Sequence, residues 1–80
     1  MIDVDGANVA RSVLAKLSGL EAGSLAPEMD LVADVGIDSP KAVELLVELE
    51  DVLGVQISDE DAARIETVGD VLSYAASVTR

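Results

Sequence analysis

Asp34-Val35-Gly36-Ile37-Asp38-Ser39-Pro40-Lys41 runs directly into Ala42-Val43-Glu44-Leu45-Leu46-Val47-Glu48-Leu49-Glu50-Asp51. The second half of this stretch reads as one amphipathic helix, because its apolar residues recur at spacings of three and four. Proline is favoured at the first helical position, where its missing N–H would be unpaired anyway. Ser39 is therefore the N-cap, or Asp38 if the helix begins one residue earlier. The helix is expected to run to Leu53 and to end at Gly54, a residue suited to the left-handed turn past a helix.

On a helical wheel Ala42, Leu45, Leu46, Leu49, Val52 and Leu53 form a continuous core arc. Lys41, Glu44, Glu48 and Asp51 face solvent, and Glu50 lies along the helix from Ser39. Val43 and Val47 fall beside Ser39 and Pro40 on the outer flank. Ser39 thus stands at the margin of the core stripe, where an attached chain could turn inward or swing outward. The patch of Pro40, Val43 and Val47 fringed by acids has the form of a transient interface, with apolar contact for affinity and charge for steering. The plainer alternative is that the two valines cover a loop or a neighbouring helix.

Outward from this helix the pattern stays helical. Val9, Ala10, Val13, Leu14 and Leu17 recur at helical spacing between Asp5 and Ser18, and Ser18-Gly19 supplies a stop. Residues 20–38 contain Gly23, Ser24, Pro27 and Gly36 without sustained period and read as a long loop. Leu20, Leu25, Met29, Leu31 and Val32 are expected to tack this loop to the core. A connection of this length in a small domain tends to be functional. Ser58 followed by Asp61 resembles a capping box and starts a short helix at about 58–65. Thr67 with Asp70 repeats the signal for a last helix at about 67–78, with Val68, Val71, Leu72, Ala75 and Ala76 facing inward. The expected fold is all-α: a four-helix bundle of three longer helices and one short one, with a long loop between the first two, in a single domain over residues 1–80.

Composition narrows the function. Half the residues are apolar, more than disordered chains carry. The core is built from Leu, Val, Ile and Ala, with one Tyr and no Phe or Trp, which is weakly permissive of a guest between the helices. Sixteen acids against five bases give a net charge of −11, which repels nucleic acid and anionic membranes and attracts basic protein surfaces. With no Cys and no His, there is no thiolate nucleophile, disulfide, thiolate or imidazole metal site, or ordinary general base. The acidic start Met1-Ile2-Asp3-Val4-Asp5 is unlike a secretory signal, and no apolar run is long enough to span a bilayer. A cytoplasmic monomer is expected, and the starting methionine favours a discrete protein.

Nothing here activates Ser39 as a nucleophile, since the nearest lysine, Lys41, would have to be desolvated on an exposed turn. A calcium loop fails on spacing: counted from Asp59, position 5 is Ala63 and position 6 is Arg64, and counted from Asp3, position 6 is Asn8. Ser39 is left as a handle that another enzyme modifies, or as an ordinary cap.

At these residues the chain resembles the acyl carrier protein family. Gly36-Ile37-Asp38-Ser39 matches the family's Gly-x-Asp-Ser signature, and the likeness extends through Val-Glu-Leu-Leu, Glu-Leu-Glu-Asp, Leu-Gly-Val-Gln-Ile and Thr67-Val68-Gly69-Asp70-Val71. The resemblance implies that Ser39 receives 4'-phosphopantetheine from coenzyme A through a phosphopantetheinyl transferase that recognises Asp38. It implies a non-catalytic carrier of acyl or polyketide intermediates, visited by ketosynthase, acyltransferase and other synthase enzymes with basic docking surfaces. Glu44, Glu50 and Asp51 correspond to acids that meet those surfaces, and Val47 to an apolar contact among them. Pro40 stands where a leucine usually follows the serine, and Lys41 where an acid is frequent. Those departures favour a specialised pathway over housekeeping fatty-acid synthesis. A carrier of aminoacyl or peptidyl groups and an unmodified acidic interaction bundle are the alternatives.

Overall fold

Each helix starts where a short polar side chain can receive backbone N–H groups that have no partner inside the helix. The computed structural model describes residues 5–78. Asp5 accepts the Asn8 N–H at 3.2 Å and opens α1 (Gly6–Ser18). Asp38 accepts the Lys41 N–H at 3.2 Å and opens α2 (Ser39–Leu53). Ser58 accepts the Asp61 N–H at 3.1 Å and opens α3 (Asp59–Ala63). The start of α4 (Val68–Val78) is a complete reciprocal box: Asp70 accepts the Thr67 N–H at 3.1 Å and the Thr67 hydroxyl accepts the Asp70 N–H at 3.1 Å. Gly19 and Gly54 end α1 and α2 with φ of 77° and 68°, a region that side chains with a Cβ avoid.

The expected four helices and long first connection are present among the described residues, with differences at the edges. α3 is shorter than the expected 58–65 and α4 begins one residue later than 67. The long connection is ordered by polar ties of its own. A 3-10 turn at Ala22–Ser24 is held by Arg11, whose guanidinium donates to the carbonyls of Ala22 at 3.2 Å and Leu25 at 2.6 Å. Further on, the Asp30 carboxylate accepts the N–H groups of Val32 and Ala33, both at 2.8 Å. The loop then lies along the start of α4 through three backbone bonds: Gly69 N–H to Pro27 O, Val68 N–H to Met29 O and Leu31 N–H to Glu66 O. Gly69 lets the loop approach closely there, because a Cβ would stand 3.0 Å from the Pro27 carbonyl oxygen and push the two segments apart by a few tenths of an ångström.

The core gathers Ala10, Val13 and Leu14 of α1, Leu45 and Leu49 of α2, and Val68, Val71 and Ala75 of α4, closed by the loop residues Leu25, Leu31, Val35 and Ile37. Four expected core positions are exposed instead. Val32, at 66% exposure, sits on the turn that the Asp30 carboxylate organises, and Leu20 lies just past the α1 cap. Val52, at 42%, falls in an open groove with Val9 and Val13 that α1 covers only in part. Ala76 is exposed near the end of α4. Val35 and Ile37 take the loop's share of the core.

Candidate functional site

Gly36 turns the chain with φ of 81°, and Ile37 then drops into the core at 1% exposure, its N–H bonded to Leu31 O at 2.7 Å. This anchor aims the next two residues outward. Asp38 takes the capping role, so its carboxylate is committed to the Lys41 N–H and the Ser39 hydroxyl is left out of it. Ser39 is exposed as the first residue of a 15-residue helix, at the end where the helix dipole is positive.

The flank beside Ser39 is as the wheel predicts. Pro40 is exposed, and Val43 and Val47 are 62% and 59% exposed, so neither valine covers a loop or a neighbouring helix. The acids around them fall into two groups. Glu44 and Asp51 are exposed. Glu48 is half-buried and pairs with Lys16 of α1, its Oε1 3.1 Å from the Lys16 Nζ. Glu50 is also half-buried, and its Oε2 accepts the Ile57 N–H at 2.7 Å, seven residues on. No periodicity signals either partnership.

Behind the flank lies a cavity of about 360 Å³. Its walls are Leu31, Val32 and Ile37 from the loop, Ala42, Leu45 and Leu46 from α2, and Ala62 and Ile65 from α3 and its exit, with Asp30 and Glu66 at the rim. Because Ile37 and Ala42 both line it, the apolar space adjoins the chain segment that carries Ser39.

Two titratable groups near this region are perturbed. The Glu66 amide first, and then the Thr67 amide and hydroxyl, hold the Asp70 carboxyl below its ordinary value against a smaller opposing effect of desolvation. Burial first, and then the charges of Asp61 and Glu50, push the Tyr74 phenol above its ordinary value. Among the described residues no group of three or more His, Cys, Asp or Glu could hold a metal ion, and Asp3 of the calcium count lies outside them. No helix among the described residues is long and apolar enough to cross a membrane.

A family model described as the phosphopantetheine attachment site matches residues 8–75. The meromycolate extension acyl carrier proteins of Mycobacterium leprae and Mycobacterium tuberculosis are each 44% identical over 62 residues, covering 78% of this chain and 54% of theirs. The chain thus spans about half the length of these curated relatives. A solved structure described as an acyl carrier protein from Mycobacterium tuberculosis superimposes with a TM-score of 0.79 at 32% identity, covering 90% of this chain and 95% of that one. An acyl carrier protein from Enterococcus faecalis gives 0.74 at 35% identity, covering 92% and 98%.

Proposed function

Because the chain belongs to the acyl carrier protein family, whose members bear covalent 4'-phosphopantetheine, we propose that Ser39 bears that arm and that the protein presents acyl cargo of fatty-acid or specialised polyketide synthesis to enzymes with basic docking surfaces. The terminal thiol of the group holds an acyl chain as a thioester, which is the chemistry it supplies when bound.

One observation carries this reading: an exposed hydroxyl at the start of α2, spared from capping by its own neighbour, beside an apolar flank with an acidic fringe. A phosphodiester fits there, since the helix N-terminus favours a phosphate by a few tenths to about 1 kcal/mol. Asp38 repels that phosphate modestly and so favours an arm directed away from the cap. Asp38 also offers a phosphopantetheinyl transferase a carboxylate beside its target. Pro40, Val43 and Val47 supply the apolar centre of the docking surface, and Glu44 and Asp51 its charged rim. Glu48 and Glu50 belong to the same surface but already serve partners within the chain.

The meromycolate extension named for the mycobacterial relatives supports an acyl cargo over an aminoacyl one. Pro40 and Lys41, at the recognition surface, support a partner set distinct from that of housekeeping fatty-acid synthesis.

Intact mass after incubation with coenzyme A, magnesium and a promiscuous phosphopantetheinyl transferase tests the reading. One adduct is expected on the native chain and none on Ser39→Ala. No adduct on the native chain leaves only an acidic interaction bundle, and an adduct that persists in Ser39→Ala moves the arm elsewhere.

A further inference from the structure

A helix of five residues has no stability of its own, and no residue of α3 is fully buried. Its place is set by what fastens its two ends, where Ile57 and Ile65 pack partly buried against the core and hydrogen bonds hold the backbone around them. At the far end the Glu66 carbonyl accepts the Leu31 N–H at 3.0 Å, and the Glu66 N–H donates to Asp70 at 2.9 Å. That end is braced by the reciprocal box of α4. At the near end the chain leaves α2 through a turn that Glu50 organises twice. Its backbone carbonyl accepts the N–H groups of Gly54 at 2.9 Å and Val55 at 3.2 Å, and its side chain accepts that of Ile57. The segment strung between these fastenings carries Ala62 and Ile65, one wall of the cavity, and the opposite wall is α2 itself.

We propose that Glu50 is a positioning residue. Through its bond to the Ile57 N–H it holds α3 against α2 and sets the width of the cavity between them. The near end is the weaker of the two, because beyond the partial burial of Ile57 one side-chain acceptor fastens it to α2, whereas the far end shares its bonds with α4 and the long loop. The acid that sequence reasoning assigns to partner contact thus also holds the cavity wall. For the use of the cavity the inference rests on the carrier reading; the bond itself does not.

Amide hydrogen exchange on the unmodified protein tests this, and so stands whether or not Ser39 takes up an arm. In Glu50→Ala the hydrogen-bonded amides of Ile57, Ala62, Arg64 and Ile65 are expected to exchange about tenfold faster, the loss of roughly one hydrogen bond. The amides of Leu14 and Val71 are expected to keep their native rates relative to global unfolding. Glu50→Gln keeps an acceptor oxygen, and most of the protection is expected to return. Unchanged exchange at those amides in Glu50→Ala, an equal rise across all four helices, or no recovery in Glu50→Gln would overturn the assignment.

Discussion

On one side of the molecule α1 and α4 share the most extensive contact between any two elements, through Ala10, Leu14, Val68, Val71 and Ala75, all fully buried. On the other side α2 faces α3 across a cavity, and the ties at the two ends of α3 are backbone N–H groups donating to single carboxylates, Ile57 to Glu50 and Glu66 to Asp70. Both sides draw on the same aliphatic alphabet, so the difference is one of arrangement. A short helix cannot bury a stripe, and what it fails to bury becomes adjustable space. The α1–α4 side is the more closely packed, and the other side offers room next to the segment bearing Ser39.

The largest test of that contrast is a pair of truncations. Leu14→Ala removes a fully buried side chain and is expected to cost about 2–5 kcal/mol in denaturant unfolding. Leu46→Ala, at the half-exposed cavity wall, is expected to cost less than about 1.5 kcal/mol. Equal costs would erase the distinction between the sides.

Next comes acid. Asp70 has a folded pKa below its ordinary 3.8, so its contribution is complete above that value and is lost as pH falls through the lower folded value. The expected result is that protection at Glu66 and Thr67 weakens during acidification below about pH 4 while the amide of Leu14 holds, followed residue by residue by NMR. In Asp70→Asn that part of the pH dependence is expected to disappear.

The smallest effect concerns the bridge between α1 and α2. Both partners keep contact with water, so Lys16→Met is expected to change stability by under about 1 kcal/mol, with the difference from the native chain shrinking as salt rises. A larger loss would mean that this contact, and not the buried leucines, registers α2 against α1.

Much of this architecture could be read from the chain. The caps Ser58 and Thr67, and the stops Gly19 and Gly54, act through neighbours three or four residues away, so local spacing reveals them. The exposed flank of Val43 and Val47 was also legible, because a wheel needs only the helix that contains it. What depends on distant packing was not. The wheel put Val52 in the core arc, yet the groove beside α1 leaves it partly open. Nothing local distinguishes Val32, left largely exposed at the open side of the cavity, from Val35, which is buried. The engagement of Glu48 with Lys16 crosses 32 residues, and that of Glu50 with Ile57 crosses the end of α2 at Gly54, so no helical period signals either. The cavity, bounded by three separate segments, has no sequence signature at all.

The division of labour between Asp38 and Ser39 has a practical corollary. Since the aspartate does the fastening, whatever is esterified to the adjoining oxygen can be installed, stripped and replaced while α2 stays wound. Servicing the molecule then never requires unravelling it.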